Sequence, residues 1–138
     1  MIKKIQDKII TELQTITEVK MVDVWQGDIE DLIKTPQKMP SLWIIYQGCG
    51  FEAKLVIGAN IAPHDMTFQI VCINKNLRGA KENSEECYSI IESVREKLIG
   101  MDVLTYGYSW PVSEDLIFAG NGILAYGLEY KIGTDYGE

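Results

Sequence analysis

The sequence contains very few residues of the kinds that build metal or redox centres. Among its 138 residues there is one histidine, His64, and there are three cysteines, Cys49, Cys72 and Cys87. The cysteines are odd in number and widely spaced, without a CxxC pair, so they predict neither a zinc site nor a thioredoxin-like site. We expect a reduced intracellular setting, with Cys72 and Cys87 acting as small hydrophobic residues and with no resident cofactor or metal.

Catalytic motifs are also missing. His64 and Asp65 are adjacent and could pair, but no serine nucleophile and no second imidazole lie near them in the sequence. The segment Gly120-Asn121-Gly122 lacks the lysine and the serine or threonine of a phosphate-binding loop, and is more typical of a hairpin turn. Neighbouring carboxylates occur at Glu30-Asp31, Glu85-Glu86 and Glu114-Asp115. Nothing near them predicts the cleft that paired carboxylate catalysis needs, so we expect no catalytic residues and no enzyme.

Basic residues are too few for a nucleic-acid-binding protein. Thirteen Lys and Arg stand against twenty Asp and Glu, a net charge of −7, and no basic stripe is present to release counterions from a polyanion. The longest apolar runs, such as Leu42–Tyr46, are far too short to span a bilayer. Lys3 and Lys4 are not followed by the apolar stretch of a signal peptide. We therefore expect neither a nucleic acid nor a membrane as a partner.

The composition is that of an ordinary folded domain. Hydrophobic residues make up 46% and charged residues 24% of the chain. A chain of this length has room for one good core, so we predict a single domain over residues 1–138.

Two amphipathic helices are predicted from apolar residues spaced by three or four. The first begins at Ile2 and is expected to end near Thr17 or Glu18. The second runs from about Ala80 to Ile99, and Gly100 is typical of a helix stop. A short helix is also predicted over Ile29–Lys34, after Asp28 as a possible cap.

Alternating or wholly apolar segments predict strands between and after these helices. They are Met21–Trp25, Ser41–Gln47, Phe51–Ile57, Asp65–Asn74, Val103–Tyr108, Leu116–Ala119 and Ile123–Ile132. Hairpin turns are expected at Gly48–Gly50 and at Asn121-Gly122. The pattern predicts an α+β fold, in which a mainly antiparallel sheet is packed by two amphipathic helices.

Aromatic residues provide the candidate interaction sites. Tyr106, Tyr108 and Trp110 form a cluster, and Trp25 stands apart from it. Trp and Tyr are enriched at protein interfaces, so we take these four residues as interface candidates. The alternative is that they cover the sheet within the monomer. Trp43, inside a strand that is apolar on both faces, is expected to be a core residue.

Several segments together resemble the Mu-like phage Gp37 family of tail proteins. They are Ile2–Ile16, Met39–Gly48, Thr67–Ile73 with Asn76–Gly79, Tyr88–Gly100 and Leu124–Tyr130. The resemblance covers most of the chain and consists of core and turn residues.

This resemblance implies a tail-terminator-like α+β fold and assembly as a homo-oligomeric, hexameric ring. Such a ring caps the head-proximal end of a phage tail tube or sheath, stops its polymerisation and contacts neck proteins. The expected locations are the virion tail and, during assembly, the cytoplasm of the bacterial host. Two other hypotheses are a small-ligand binding or regulatory module without catalysis, which needs an enclosed pocket, and an enzyme that uses His64, Asp65 and a cysteine.

Overall fold

A computed structural model of the protein describes residues 2–51, 63–101 and 108–133. In chain order the elements are α1 (Ile2–Leu13), β1 (Met21–Val24), α2 (Ile29–Lys34), β2 (Ser41–Phe51), β3 (Pro63–Lys75), α3 (Ala80–Leu98), β4 (Tyr108–Gly120) and β5 (Ile123–Gly133). None of the helices among these residues is both long and apolar enough to cross a membrane.

The five strands form one sheet in the order β1-β2-β3-β5-β4. β1 pairs with β2 in parallel, and the other three pairings are antiparallel. The predicted α+β class with a mainly antiparallel sheet is therefore confirmed. This order leaves β1 at one edge of the sheet and β4 at the other, and these two edges define opposite sides of the subunit.

One face of the sheet is covered by α1 and α3, and the larger core lies beneath them. Ile5, Ile9 and Leu13 bring the apolar stripe of α1 onto the β1–β2 side, while α3 packs over β3, β5 and β4. The strands contribute the alternating residues of this face, among them Leu42, Phe68 and Leu128. Both helices are amphipathic for this reason: their inner stripes are buried and their outer positions are charged.

The opposite face carries a smaller core around α2. Leu32 of α2 is buried there with Trp43, Val71, Ile73 and Ala125 from three adjacent strands. The expectation that Trp43 is a core residue is thus confirmed. Its indole N–H donates to the side-chain oxygen of Gln37 at 2.8 Å, which satisfies the one polar atom of the ring.

A polar network closes the end of the sheet where the β4–β5 hairpin turns, and we call this end the turn end. The side-chain amide of buried Asn74 donates to Asn83 and to Glu86, and Asn83 donates to the carbonyl of Gly122. Asn121 and Gly122 both have positive φ, as their predicted hairpin turn requires. The network joins β3, the start of α3 and the hairpin turn, so the buried amides keep hydrogen-bond partners.

The hairpin turn predicted at Gly48–Gly50 is wrong. These residues lie inside β2, which continues to Phe51 and pairs with β3. The pairing register shifts between Tyr46 and Gly48 and again between Cys49 and Gly50. Glycine inside a strand often marks such irregularities, which bend the strand without reversing it. The strand predicted at Phe51–Ile57 lies, apart from Phe51, outside the described residues.

The gap between the predicted strands Val103–Tyr108 and Leu116–Ala119 is also wrong. β4 is one strand from Tyr108 to Gly120 and includes Pro111. Its pairing with β5 shifts register between Pro111 and Ser113 and again between Leu116 and Phe118. Proline is tolerated there because β4 is an edge strand, so the missing N–H costs no hydrogen bond inside the sheet. The strand predicted at Val103–Tyr108 lies outside the described residues except for Tyr108.

Substitution of a buried and an exposed leucine by alanine tests the core assignment. Leu13, the last residue of α1, is 0% exposed, whereas Leu77 at the turn end is 79% exposed. We expect Leu13→Ala to lower the free energy of unfolding by about 3 kcal/mol, because it removes buried methyl groups and leaves a cavity. Leu77→Ala, the matched control, changes it by no more than about 0.5 kcal/mol. Equilibrium urea denaturation measures both, and equal losses would contradict the assignment.

Candidate functional site

The groups that sequence analysis considered for chemistry are dispersed in the fold. Within residues 2–51, 63–101 and 108–133, no three His, Cys, Asp or Glu side chains are grouped so as to hold a metal ion. Of His64 only the backbone is described, and it pairs with Gly50 across the β2–β3 ladder. Glu114 of β4 is bound by Arg95 of α3, whose hydrogen bonds lower the pKa of the Glu114 carboxyl. This ion pair ties α3 to the edge strand.

Cys72 and Cys87 meet between β3 and α3. Both side chains are 0% exposed. A hydrogen bond between the two thiols, together with burial, raises the pKa of Cys72 well above its usual value. The same hydrogen bond lowers the pKa of Cys87. Cys72 is kept protonated, which makes a thiol a poor nucleophile, and neither cysteine is exposed to solvent, so the two side chains act here as packing.

Tyr130 carries a buried polar atom in the main core. Its ring packs under α3, and its hydroxyl makes no hydrogen bond to any group of the described residues. Burial, with a further contribution from the charge of Glu114, raises the pKa of Tyr130 to about 12. The neutral phenol is therefore the form that the folded protein holds.

The predicted interface residues are not brought together. Tyr108 and Trp110 lie near the beginning of β4, and Tyr106 lies outside the described residues. Trp25 follows β1, at the other edge of the sheet, where its ring meets Trp43 edge to face at 5.9 Å. Its indole N–H donates to the carbonyl of Asp28 at 3.1 Å. Trp25 thus has intramolecular partners and is separated from Tyr108 and Trp110 by the width of the sheet.

The beginning of β4 carries an exposed apolar surface. Three large apolar side chains near the start of the strand are exposed to solvent, and we call them the β4 patch: Tyr108 (58%), Trp110 (38%) and Val112 (46%). Ile99, 51% exposed, lies near the backbone of β4, because the next residue, Gly100, donates its N–H to the carbonyl of Ser109 at 2.9 Å. The side chain of Ser109 is buried against the end of α3, so Tyr108 and Trp110 point to the other face of the sheet. Leu116, 53% exposed, lies further along the same strand. Clustered exposed apolar side chains often mark a surface that binds another protein.

The backbone of β4 beside this patch is closed to strand addition. Ser109 points its backbone groups away from β5, and both are occupied: its carbonyl accepts from Gly100 and its N–H donates to Met101 at 3.3 Å. Backbone direction alternates along a strand, so the nitrogen of Pro111 also points outward and offers no donor. Contacts at this edge must therefore come from side chains.

The β1 edge is protected in a different way. β1 has only four residues, and the outward N–H of Val24 donates to the carboxylate of Asp23 at 2.8 Å. Short length and a charge on the edge are common defences of an edge strand against unwanted pairing. The two edges are therefore unlike: one is polar and short, and the other is long and apolar.

Two open grooves lie at the turn end on either side of Leu77. One is about 550 Å³ and is bordered by Pro36 and Met39, and the other is about 350 Å³ and follows the β4–β5 turn. Lys75 is the one ionisable residue among their lining residues. Both grooves are open to solvent and not enclosed, whereas a small-ligand site buries most of the surface of its ligand.

Sequence analysis missed Val112 as a member of the β4 patch. Val112 fell between the two predicted strands Val103–Tyr108 and Leu116–Ala119, which the structure replaces by one strand that includes it. A signal was present, because a proline inside an alternating apolar run indicates an edge strand. That Ile99 lies beside β4 depends on the path of the chain after α3, which local pattern does not encode.

Comparison with known proteins gives a likeness of fold. No protein-family model and no curated protein sequence matches the chain. A solved structure described as the virion of a native gene transfer agent particle contains a chain with a similar fold. The TM-score is 0.55 at 10% sequence identity, and the match covers 94% of this chain and 90% of that chain.

Replacement of Tyr130 by phenylalanine tests whether the buried hydroxyl group lacks a hydrogen-bond partner. We expect Tyr130→Phe to raise the free energy of unfolding by about 1 kcal/mol, because a buried hydroxyl without a partner loses its bonds to water on folding. The folded-state pKa of Tyr130, about 12, lies above the ordinary value of 10.0, so the unfolded state loses the phenol proton first as pH rises. Ionisation of Tyr130 therefore does not change the free energy of unfolding below pH 10 and lowers it as pH rises from 10 toward 12. Tyr130→Phe should therefore reduce the alkaline loss of stability.

Tyr108→Phe is the matched control, because it removes a hydroxyl from an exposed ring. Urea denaturation at pH 7 and at several values between pH 9 and pH 11.5 measures both variants. A Tyr130→Phe protein that is less stable than the wild type at pH 7 would show that the hydroxyl has a partner and would refute the assignment.

Proposed function

We propose that this protein is a structural component of a phage-like particle and acts as its tail terminator, in the manner of the Mu-like phage Gp37 family. Six copies form a ring that caps the head-proximal end of the tail tube or sheath and contacts the neck. The protein assembles in the bacterial cytoplasm and remains in the virion tail.

The fold likeness carries this proposal. It extends over nearly the whole of both chains, so it concerns the complete architecture and not a shared hairpin or helix. The matched chain comes from a virion, which is an assembly of structural proteins. Because a fold can host many functions, the likeness supports the structural role only together with the surface that this chain presents.

The two unlike edges of the sheet support ring formation. A ring requires heterologous contacts, in which one surface of a subunit binds a different surface of the next. The β4 patch offers an apolar surface on one side of the subunit, and the β1 side is polar. The protected backbone at the beginning of β4 and at Val24 of β1 also limits open-ended sheet extension, which a terminator must avoid.

The net charge of −7 fits regulated assembly of this kind. Like-charged subunits repel one another at long range, so free subunits stay dispersed at low concentration. A tube end that binds several subunits raises their local concentration, and the ring then forms where it is needed.

The proposal predicts a ring that binds tube ends. Multi-angle light scattering over a wide concentration range, with and without assembled tail tubes, measures the mass. Six chains of 15.6 kDa give a ring of about 94 kDa. We expect that mass at high concentration, or rings on tube ends at lower concentration, and a halt in tube growth when the protein is added to polymerising tube protein.

A protein that stays monomeric at every concentration, ignores tubes and leaves their growth unchanged would overturn the proposal. Bovine serum albumin at equal mass concentration controls for non-specific effects on tube growth. His64→Ala is expected to assemble and cap like the wild type. Loss of function in His64→Ala without loss of assembly would instead favour chemistry at that residue.

A further inference from the structure

The two grooves beside Leu77 are parts of one longer groove. A third groove, of about 540 Å³, shares the wall residues Pro36 and Gln37 with the groove of about 550 Å³. The latter shares Leu77 and Ile123 with the groove of about 350 Å³. The three openings are therefore contiguous, and we call them together the turn-end groove.

The turn-end groove passes the ends of all five strands in the order in which they lie in the sheet. It is lined by Met21 at the start of β1, Met39 just before β2, Lys75 at the end of β3, Ile123 at the start of β5 and Gly120 at the end of β4. Five strands at the usual spacing make the groove about 19 Å long, which is the length of about six residues of extended chain. An open groove of this length accommodates a stretch of polypeptide better than a compact small molecule.

Hydrogen bonds hold both walls of the turn-end groove in place. On the β1–β2 side, the side-chain amide of Gln37 donates to the carbonyls of Leu32 and Thr35. The side-chain oxygen of Gln37 accepts from Ser41 and Trp43. On the other side, the buried asparagine network binds the carbonyl of the β4–β5 turn. A groove whose walls are already ordered loses little conformational entropy when a partner binds.

The charge of the turn-end groove is opposite to that of the whole protein. Its described lining residues include three lysines, Lys20, Lys38 and Lys75, and no Asp or Glu, whereas the net charge of the chain is −7. All three lysines are exposed, and none of their ammonium groups has an ion pair or a hydrogen bond with another described residue. Carboxylates are therefore the groups that complement this groove.

The lysines occupy one half of the turn-end groove. Lys20 and Lys38 line the section at β1, and Lys75 lines the middle section. No ionisable residue is among the described residues that line the section at the β4–β5 turn. That section is bordered by Ile123 and by Leu77, whose side chain is 79% exposed and lies against the turn. The groove thus changes from basic to apolar along its length, and a complementary partner changes from acidic to apolar.

Two features favour a polypeptide over a nucleic acid as the occupant. No aromatic residue is among the described residues that line the groove, so these residues offer no stacking surface for single-stranded bases. A long polyanion would also be repelled by the rest of an acidic subunit, whereas a short segment places its few carboxylates beside the lysines alone.

We infer that the turn-end groove binds an extended segment of another protein, about six residues long, with carboxylates toward β1 and apolar side chains toward the β4–β5 turn. The carboxylates pair with Lys20, Lys38 and Lys75, and the apolar side chains pack against Leu77 and Ile123. This inference goes beyond the proposed ring and does not depend on it, because every group that carries it belongs to one subunit.

Fluorescence anisotropy with labelled synthetic peptides tests the inference. Two peptides each contain three aspartates and three leucines, with the aspartates at the amino end in one peptide and at the carboxyl end in the other. We expect one of them to bind, and to bind more weakly in 1 M than in 0.15 M salt, because salt screens exposed charge pairs. A peptide with lysines in place of the aspartates is the matched control and should not bind. Absence of binding by both acidic peptides up to about 1 mM would overturn the inference.

Three variants test the two halves of the groove. Lys38→Glu with Lys75→Glu reverses the charge of the basic half, and we expect it to weaken peptide binding by about ten-fold or more. Lys4→Glu with Lys97→Glu makes the same change in net charge on helix turns that do not line the groove, and should change the Kd by no more than about two-fold. Leu77→Ser removes the exposed apolar anchor and should weaken binding at both salt concentrations. Circular dichroism checks that each variant is folded, and equal effects of the two charge reversals would contradict the assignment.

Amide NMR spectra of the labelled protein locate the bound peptide. We expect shifts at Lys38, Lys75 and Leu77, and shifts confined to another surface would overturn the inference. A single-stranded oligonucleotide of equal charge that binds the groove as tightly as the peptide would overturn the polypeptide as occupant. Self-association of the wild type that Leu77→Ser abolishes would do the same in favour of a second copy of this chain.

The outcomes separate this inference from the proposed function. A protein that binds an acidic peptide in the groove but forms no ring and ignores tubes upholds the inference and refutes the terminator proposal. A protein that caps tubes but binds neither acidic peptide upholds the terminator proposal and overturns the inference.

Discussion

Burial of β3 on both faces is the constraint on which the rest of the structure depends. Ile70, Val71, Cys72 and Ile73 are successive residues, and all are 0% exposed. Because successive side chains in a strand point to opposite faces, the central strand must be covered on both sides. α1 and α3 cover one face and α2 covers the other. β1 and β4 are therefore the edge strands of the sheet, and their exposed side chains are available for assembly.

The edges show how one sheet can assemble without aggregating. Strand addition is blocked at the beginning of β4 by the occupied backbone of Ser109 and by Pro111, and at β1 by Asp23. Apolar side chains nevertheless remain exposed on β4. A contact made by side chains has a defined geometry and can close, whereas an open backbone edge can recruit any extended chain. The proposed ring uses this difference: the backbone is protected where the edges are exposed, while apolar side chains remain available to bind another copy.

The candidate surface was predictable only in part. Tyr108 and Trp110 were identified from residue type, because large aromatics are common interface anchors. Trp25 was identified by the same rule, yet its ring packs on Trp43 and its N–H binds Asp28. Residue type alone does not show whether an aromatic side chain packs within its own chain or against another protein. Val112 was missed because it lies between two predicted strands, whereas in the structure β4 continues through it.

The sequence by itself determined that three helices form, most of the strands, the Asn121-Gly122 turn and the α+β class, because these follow from short-range periodicity and local backbone preference. It placed the end of α1 near Thr17 or Glu18, whereas α1 ends at Leu13. It did not determine that Gly48–Gly50 continues β2 or that Pro111 lies inside β4. A glycine or proline acts as a turn, a bulge or an edge residue according to the strand that pairs with it. The tertiary structure alone decided which strands are edges, and therefore which apolar side chains stay exposed, because strand order depends on contacts between residues far apart in the chain.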